Sequence, residues 1–111
     1  MPQTQDNSKS TQQPRAPRFP IQTLMRYREA GAANWREGKT VNISSSGVLF
    51  EAEQQLQPRT MLEMRIIFPP EIAGPRAADV VCWGPVVRIA RECSPANAPE
   101  LAAAILRYKF S

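Results

Sequence analysis

Apolar residues recur at every second position through most of the chain. In IQTLMRYR, residues 21–28, Ile21, Thr23, Met25 and Tyr27 fall on one face and Gln22, Arg26 and Arg28 on the other, the alternation of a half-buried strand. MLEMRIIF, residues 61–68, repeats it, with Leu62, Met64, Ile66 and Phe68 turned one way and Glu63 and Arg65 the other. WREGKTVNIS and GVLFEAE read as two strands around a serine cluster. AADVVCWGPVVRIARE reads as one long strand or two short ones broken at Gly84-Pro85, because a Gly-Pro pair inside a strand marks a bulge or a barrel corner. The closing LAAAILRYKF is mixed. Its Ala and Leu content after Pro99 suits a helix start, yet Ala102, Ala104, Leu106, Tyr108 and Phe110 share a face at period two, and we read it as the last strand. EAGAAN, QQLQPRT, PPEIAGPR and CSPANAPE are the intervening turns and loops.

About six short strands in a chain of 111 residues predict one all-β domain, a small six-stranded antiparallel barrel. Closure removes the exposed edges that an open sheet would have to protect. Residues 1–13 are polar and expected to be disordered. PRAPRFP, residues 14–20, is a stiff arm held extended by three prolines, from which Arg15 and Arg18 project. The barrel is assigned to 21–111.

Composition narrows the chemistry. No apolar run approaches the roughly 18–20 residues of a membrane span, and the polar N-terminus lacks the apolar segment of a secretory signal; a cytoplasmic protein is expected. The net charge of +4 and pI of about 9.6 favour an anionic partner. Eleven of the fourteen basic residues are Arg, whose planar fork suits carboxylate, phosphate or a guanine edge. There is no His, so the commonest general base and zinc ligand are absent. Cys82 and Cys93 lie in no metal-binding spacing; we read both as reduced thiols, with Cys82 as core filler. No carboxylate pair stands out. The expectation is a protein that is not an enzyme and holds no metal or cofactor.

VNISSSGVLF, residues 41–50, interrupts two good strands with short polar side chains. A hairpin turn explains it. So does a ligand site made of short polar groups. RAPRFPIQTLMRYRE followed by KTVNISSSGVLFEAE resembles the PilZ domain family, whose second motif, Asp or Asn, any, Ser, any, any, Gly, is matched by Asn42, Ser44 and Gly47. MLEMRIIFP, GPVVRIARE and AAAILRYKF are similar to the family's later strands, so the resemblance spans about residues 14–110. It implies a six-stranded barrel that binds the bacterial second messenger cyclic di-GMP. The family's other signature, Arg, three residues, Arg, is met at its second position by Arg18, but Pro14 stands at the first and Arg15 comes one place late. The C-terminal helix of many members is not expected after the last strand.

The resemblance implies roles for these residues. A guanidinium donates to guanine O6 and N7 together, stacks on a base or pairs with phosphate, and Arg15 and Arg18 would do so from the arm. Asn42 and Ser44, two apart on a strand, would project together from the barrel surface towards a guanine edge with Ile43 turned into the core. Gly47 would permit positive φ and a close backbone approach. Ser45 and Ser46 read as turn residues, Trp83 as core or rim with base stacking as the other reading, and Arg88 and Arg107 as solvated strand residues. The function implied is a cyclic di-GMP receptor that signals to a protein effector. The Pro14 departure keeps open a second reading, a protein-binding module of the same fold that binds no nucleotide. A basic barrel for single-stranded nucleic acid ranks last, because most of the eight aromatic residues fall on apolar faces; neither DNA nor RNA is an expected partner.

Overall fold

The alternating segments become strands of four to fourteen residues. The computed structural model describes residues 17–68, 70, 74 and 78–110. The 1–13 tail, Pro14, Arg15 and most of the 69–76 loop lie outside the described residues. The strands are β1 (Leu24–Glu29), β2 (Arg36–Ile43), β3 (Gly47–Glu51), β4 (Met61–Phe68), β5 (Ala78–Arg91), β6 (Glu100–Ala104) and β7 (Arg107–Phe110). Around the sheet they run β4, β1, β2, β3, β6, β5, and β5 pairs back onto β4, which closes six antiparallel strands into a barrel; β7 is an extra strand on β5. Among the described residues no helix is long and apolar enough to cross a membrane.

The interior holds the predicted faces of β1 and β4. Met25 and Tyr27 of β1, Leu62, Met64, Ile66 and Phe68 of β4, and Val80, Cys82 and Val86 of β5 are all buried, with Ile43, Val48, Phe50, Leu101 and Ala103 completing the core. Full burial of each large aliphatic side chain contributes about 1.5–3 kcal/mol. Tyr27 packs its ring on Phe50 at 5.3 Å between centroids, and its hydroxyl accepts from the Glu53 N–H at 2.9 Å, so the one buried phenol is satisfied.

β5 is long because its two halves serve different neighbours. Residues 78–85 pair with β4, while 86–91 pair with β6 and 80–83 with β7. The chain runs through Gly84-Pro85 as one strand with no register shift against β4, and what Gly84 provides is a close approach: a Cβ there would run into the Ala104 carbonyl. Val86 directs its N–H and carbonyl at Thr60 and Arg59, so the Pro85 nitrogen faces the opposite side, where β6 and β7 lie. Pro has no N–H to offer there, and the last segment breaks opposite it.

That break corrects the reading of LAAAILRYKF as one strand. β6 and β7 are two strands separated at Ile105-Leu106. The Ile105 N–H turns aside to the Ser46 carbonyl at 2.9 Å and the Leu106 N–H bonds the Trp83 carbonyl at 2.8 Å. The expected face of Ala102, Ala104, Leu106, Tyr108 and Phe110 is not the core face: Leu101, Ala103 and Ile105 are buried, while Leu106 is 67 % exposed, Tyr108 49 % and Phe110 58 %. The aromatic distribution is corrected with it. Tyr27, Phe50 and Phe68 are buried, but Phe19, Trp35 and Trp83 are only half-buried.

Candidate functional site

The site begins with a bulge in β2. The register against β3 slips between Thr40 and Asn42, leaving Val41 as the extra residue. A bulge resets the alternation of the strand. Thr40 and Ile43 therefore both face inward, each 0 % exposed, and Asn42 between them turns to the outer face beside Leu49. Simple period-two counting would have paired Asn42 with Thr40.

The arm docks next to this bulge. Phe19 and Ile43 exchange both backbone hydrogen bonds, Phe19 N–H to the Ile43 carbonyl at 2.9 Å and Ile43 N–H to the Phe19 carbonyl at 3.0 Å. The arm thereby takes the place beside the end of β2 that β1 occupies further back, where Leu24 to Tyr27 pair with Lys39 to Arg36. Thr40 ties it down. Its hydroxyl donates to the Ile21 carbonyl at 2.7 Å and accepts from the Thr23 N–H at 2.8 Å. Sequence reading passed over Thr40; a lone hydroxyl on an otherwise inward-facing row was the available signal.

With Phe19 held in that bridge, Arg18 lies over the Asn42–Gly47 loop. Its Nη1 donates to Asn42 Oδ1 at 2.7 Å, and a Cβ built on Gly47 would stand 3.6 Å from Arg18 Nη2 and 3.0 Å from the Ala103 carbonyl. Arg18 is exposed and Asn42 half-buried, so the pair sits on an open surface. Arg15 lies outside the described residues.

Two geometric expectations are corrected. Ser44 does not project beside Asn42, because β2 ends at Ile43 and the turn begins there. Ser44 is 1 % exposed, and its hydroxyl accepts from the Gly47 N–H at 3.1 Å and the Ser46 N–H at 3.2 Å. It holds the turn that sets Gly47 under Arg18. Gly47 is absent from the positive-φ residues, which are Gly31, Gly74 and Arg59. What position 47 requires is room, since the Ala103 carbonyl would stand 3.0 Å from a Cβ there.

Trp83 lies on the outer face of β5 with the Arg107 guanidinium 4.1 Å above its ring. A groove of about 460 Å³ lies elsewhere, on the outer face of β1, β2, β4 and β5 between Leu24, Trp35, Arg65 and Ile67, and none of Arg18, Asn42, Ser44 and Gly47 lines it. Among the described residues no three His, Cys, Asp or Glu side chains are gathered as metal ligands. Cys82 and Cys93 are both free thiols; burial pushes the Cys82 thiol up to about 12, so it stays protonated. The arrangement offers an exposed guanidinium and a side-chain amide on one surface, which is binding chemistry.

Comparison with curated proteins and with solved structures finds no match. The family model described as PilZ domain matches residues 12–94, a span that includes the arm, the Asn42–Gly47 loop and strands β1 to β5, and the chain belongs to that family.

Proposed function

We propose that the chain is a cyclic di-GMP receptor that reads the nucleotide with Arg18 and Asn42 and passes the signal to a protein effector. The family is one of binding adaptors rather than catalysts, and it supplies the ligand class. The observation that carries the finer reading is the convergence of the two motifs: the Phe19–Ile43 bridge sets Arg18 within 2.7 Å of Asn42 and over Gly47. The guanidinium fork donates to guanine O6 and N7 or to phosphate. The Asn42 amide oxygen accepts from guanine ring N–H groups. Ser44 acts through the turn it ties, and Gly47 gives the ligand backbone to approach. Arg15 supplies the second guanidinium from the arm. The reading is of a cytoplasmic protein that needs no cofactor.

Separate Arg18→Ala and Asn42→Ala variants test this. Each weakens cyclic di-GMP binding at least tenfold while the urea midpoint stays at its wild-type value. Wild-type affinity in both would overturn the site.

A second reading is favoured by β7 and by Pro14. The row Leu106, Tyr108 and Phe110 presents an exposed apolar stripe along β7 and the residue before it, a strand that among the described residues pairs only with β5, the surface of a protein-binding module. On that reading the chain binds a partner and shows no response to the nucleotide.

A further inference from the structure

We propose that β7 is a site of strand addition, and that its occupant is an extended segment of a protein partner in which acidic and apolar residues alternate. The proposal rests on the protein contact that both readings above share, and it needs no nucleotide.

β7 has an open edge. Among the described residues it pairs only with β5. Successive residues of a strand direct their N–H and carbonyl groups to opposite sides, so every second residue of Arg107–Phe110 turns both groups away from β5. Such an edge is a template for another chain, and natural edges are often blunted by proline or a bulge. β7 carries no proline and no glycine, and its register on β5 runs without a shift.

The two faces of the strand define what fits. Tyr108 and Phe110 oppose Cys82 and Val80 of the core, so they lie on the core face of the sheet where it runs past the closed barrel. The Tyr108 ring stands 6.5 Å from that of Phe68 and 5.9 Å from that of Phe110, and Tyr108 and Phe110 remain exposed. They form an apolar shelf that the apolar side chains of an added strand extend. The other face is cationic. Arg107 opposes Trp83 and Lys109 opposes Val81, so β5 sets no carboxylate against either. The Arg107 guanidinium lies 4.1 Å over the Trp83 ring, which leaves its charge unneutralised. Among the described residues neither cation makes an ion pair, and both are exposed. Carboxylates on an added strand sit directly opposite them.

The same charges disfavour a second copy. Any antiparallel pairing of two β7 strands that keeps the aromatic rows on one face sets Arg107 and Lys109 against the cations of the other copy. Like charges directly opposed are destabilising. An acidic and apolar alternation presents the two matching faces in either chain direction.

The test titrates the full chain with acetyl-Glu-Val-Glu-Val-Glu-amide and with acetyl-Lys-Val-Lys-Val-Lys-amide, read by calorimetry and amide NMR. The acidic peptide binds saturably, binds less well as salt rises, and shifts Arg107 to Phe110. The basic peptide does not. Acetyl-Glu-Pro-Glu-Pro-Glu-amide keeps the charge but loses two N–H groups, and it binds far more weakly. Arg107→Glu combined with Lys109→Glu reverses the preference: the acidic peptide loses roughly tenfold or more, the worth of two cross-strand charge pairs, and the basic peptide gains. Damage to the fold would produce no such reversal. If the double variant fails to fold, the salt dependence and the three peptides on the wild-type chain decide. Equal binding of acidic and basic peptides, undiminished binding of the proline peptide, or shifts away from β7 would overturn the proposal. So would no binding at millimolar peptide, and dimers in sedimentation with β7 shifts on dilution would give the edge to a second copy instead. Absence of cyclic di-GMP heat in the wild-type chain would overturn the receptor reading and leave this proposal standing.

Discussion

Arg18 Nη1 and Asn42 Oδ1 stand 2.7 Å apart, although 24 residues separate them in the chain. Each is the other's partner in this state. A ligand that takes up the guanidinium fork also frees the amide oxygen, so the two motifs respond together. The contact is exposed, which makes its own worth to stability small.

Arg18→Ala should therefore separate binding from folding. The expected loss in nucleotide affinity is on the order of 10- to 100-fold, the range for a lost hydrogen bond from a charged donor. The expected change in unfolding free energy is within about 0.5 kcal/mol, as for an exposed substitution. Arg18→Lys should not restore affinity, because an ammonium lacks the bidentate fork. Calorimetric affinity and urea unfolding on the same samples check both halves.

Thr40→Val should do the reverse. It keeps the shape but strips the hydroxyl from a 0 % exposed site, leaving the Ile21 carbonyl and the Thr23 N–H without that partner. The cost should be about 1–3 kcal/mol. Hydrogen exchange at Phe19 and Thr23 should rise more than at Met64, in the middle of β4, because the arm is untied first. Equal acceleration at all three would show that Thr40 stabilises the barrel without positioning the arm.

The two glycines make a graded pair. Gly84→Ala should cost more than about 3 kcal/mol or prevent folding, because its Cβ would meet the Ala104 backbone, which cannot move without unpairing β6. Gly47→Ala should cost about 1 kcal/mol, since the Cβ would stand 3.0 Å from one carbonyl and at ordinary contact distance from Arg18. Denaturation midpoints and nucleotide affinity order the two. A Gly84→Ala protein as stable as wild type would contradict the close approach of the Ala104 backbone to Gly84.

Much of this was legible before any coordinates. MLEMRIIF is β4 residue for residue, because a strand with one wet face and one dry face writes its period directly into side-chain type. Asn42, Gly47 and Arg18 were named as motif positions, and the fold brings the three together. Three things were not. The β2 bulge is a backbone event, so the outward turn of Asn42 came right for the wrong reason and Ser44 came wrong. The Phe19–Ile43 bridge is made only of backbone bonds, which carry no residue signature. The break at Ile105-Leu106 lies opposite Gly84-Pro85 on another strand, and a reading of each segment by itself has no access to that neighbour. Gly47 was chosen for a positive φ that it does not have; its reason is crowding by a neighbour across the sheet.

The thiols give a pH prediction. Cys82 is 0 % exposed and Cys93 exposed, so a thiol reagent at neutral pH should modify Cys93 alone in the folded protein and both in urea. Burial raises Cys82 from its ordinary 9.0 to about 12, so the folded state holds that proton more tightly than the unfolded one. Below pH 9 the thiol is protonated in both states and its contribution is level. As pH rises from about 9 towards 12 the unfolded thiol ionises first, and stability falls. Burial raises Tyr27 as well, which adds a loss of the same sign in the alkaline range. Unfolding midpoints measured from pH 7 to 11 should be flat at first and then decline, and Cys82→Ala should lessen the alkaline slope. A slope unchanged by that substitution would assign the decline to other groups.

The most direct test of the central claim is a calorimetric titration of the chain with cyclic di-GMP, with GTP as the control, alongside amide NMR spectra. Saturable heat with cyclic di-GMP alone, and shifts concentrated at Arg18, Asn42 and Gly47, is the expected result. No heat, and no shift at those three residues up to high micromolar ligand, would contradict the receptor reading and turn attention to a protein partner at β7.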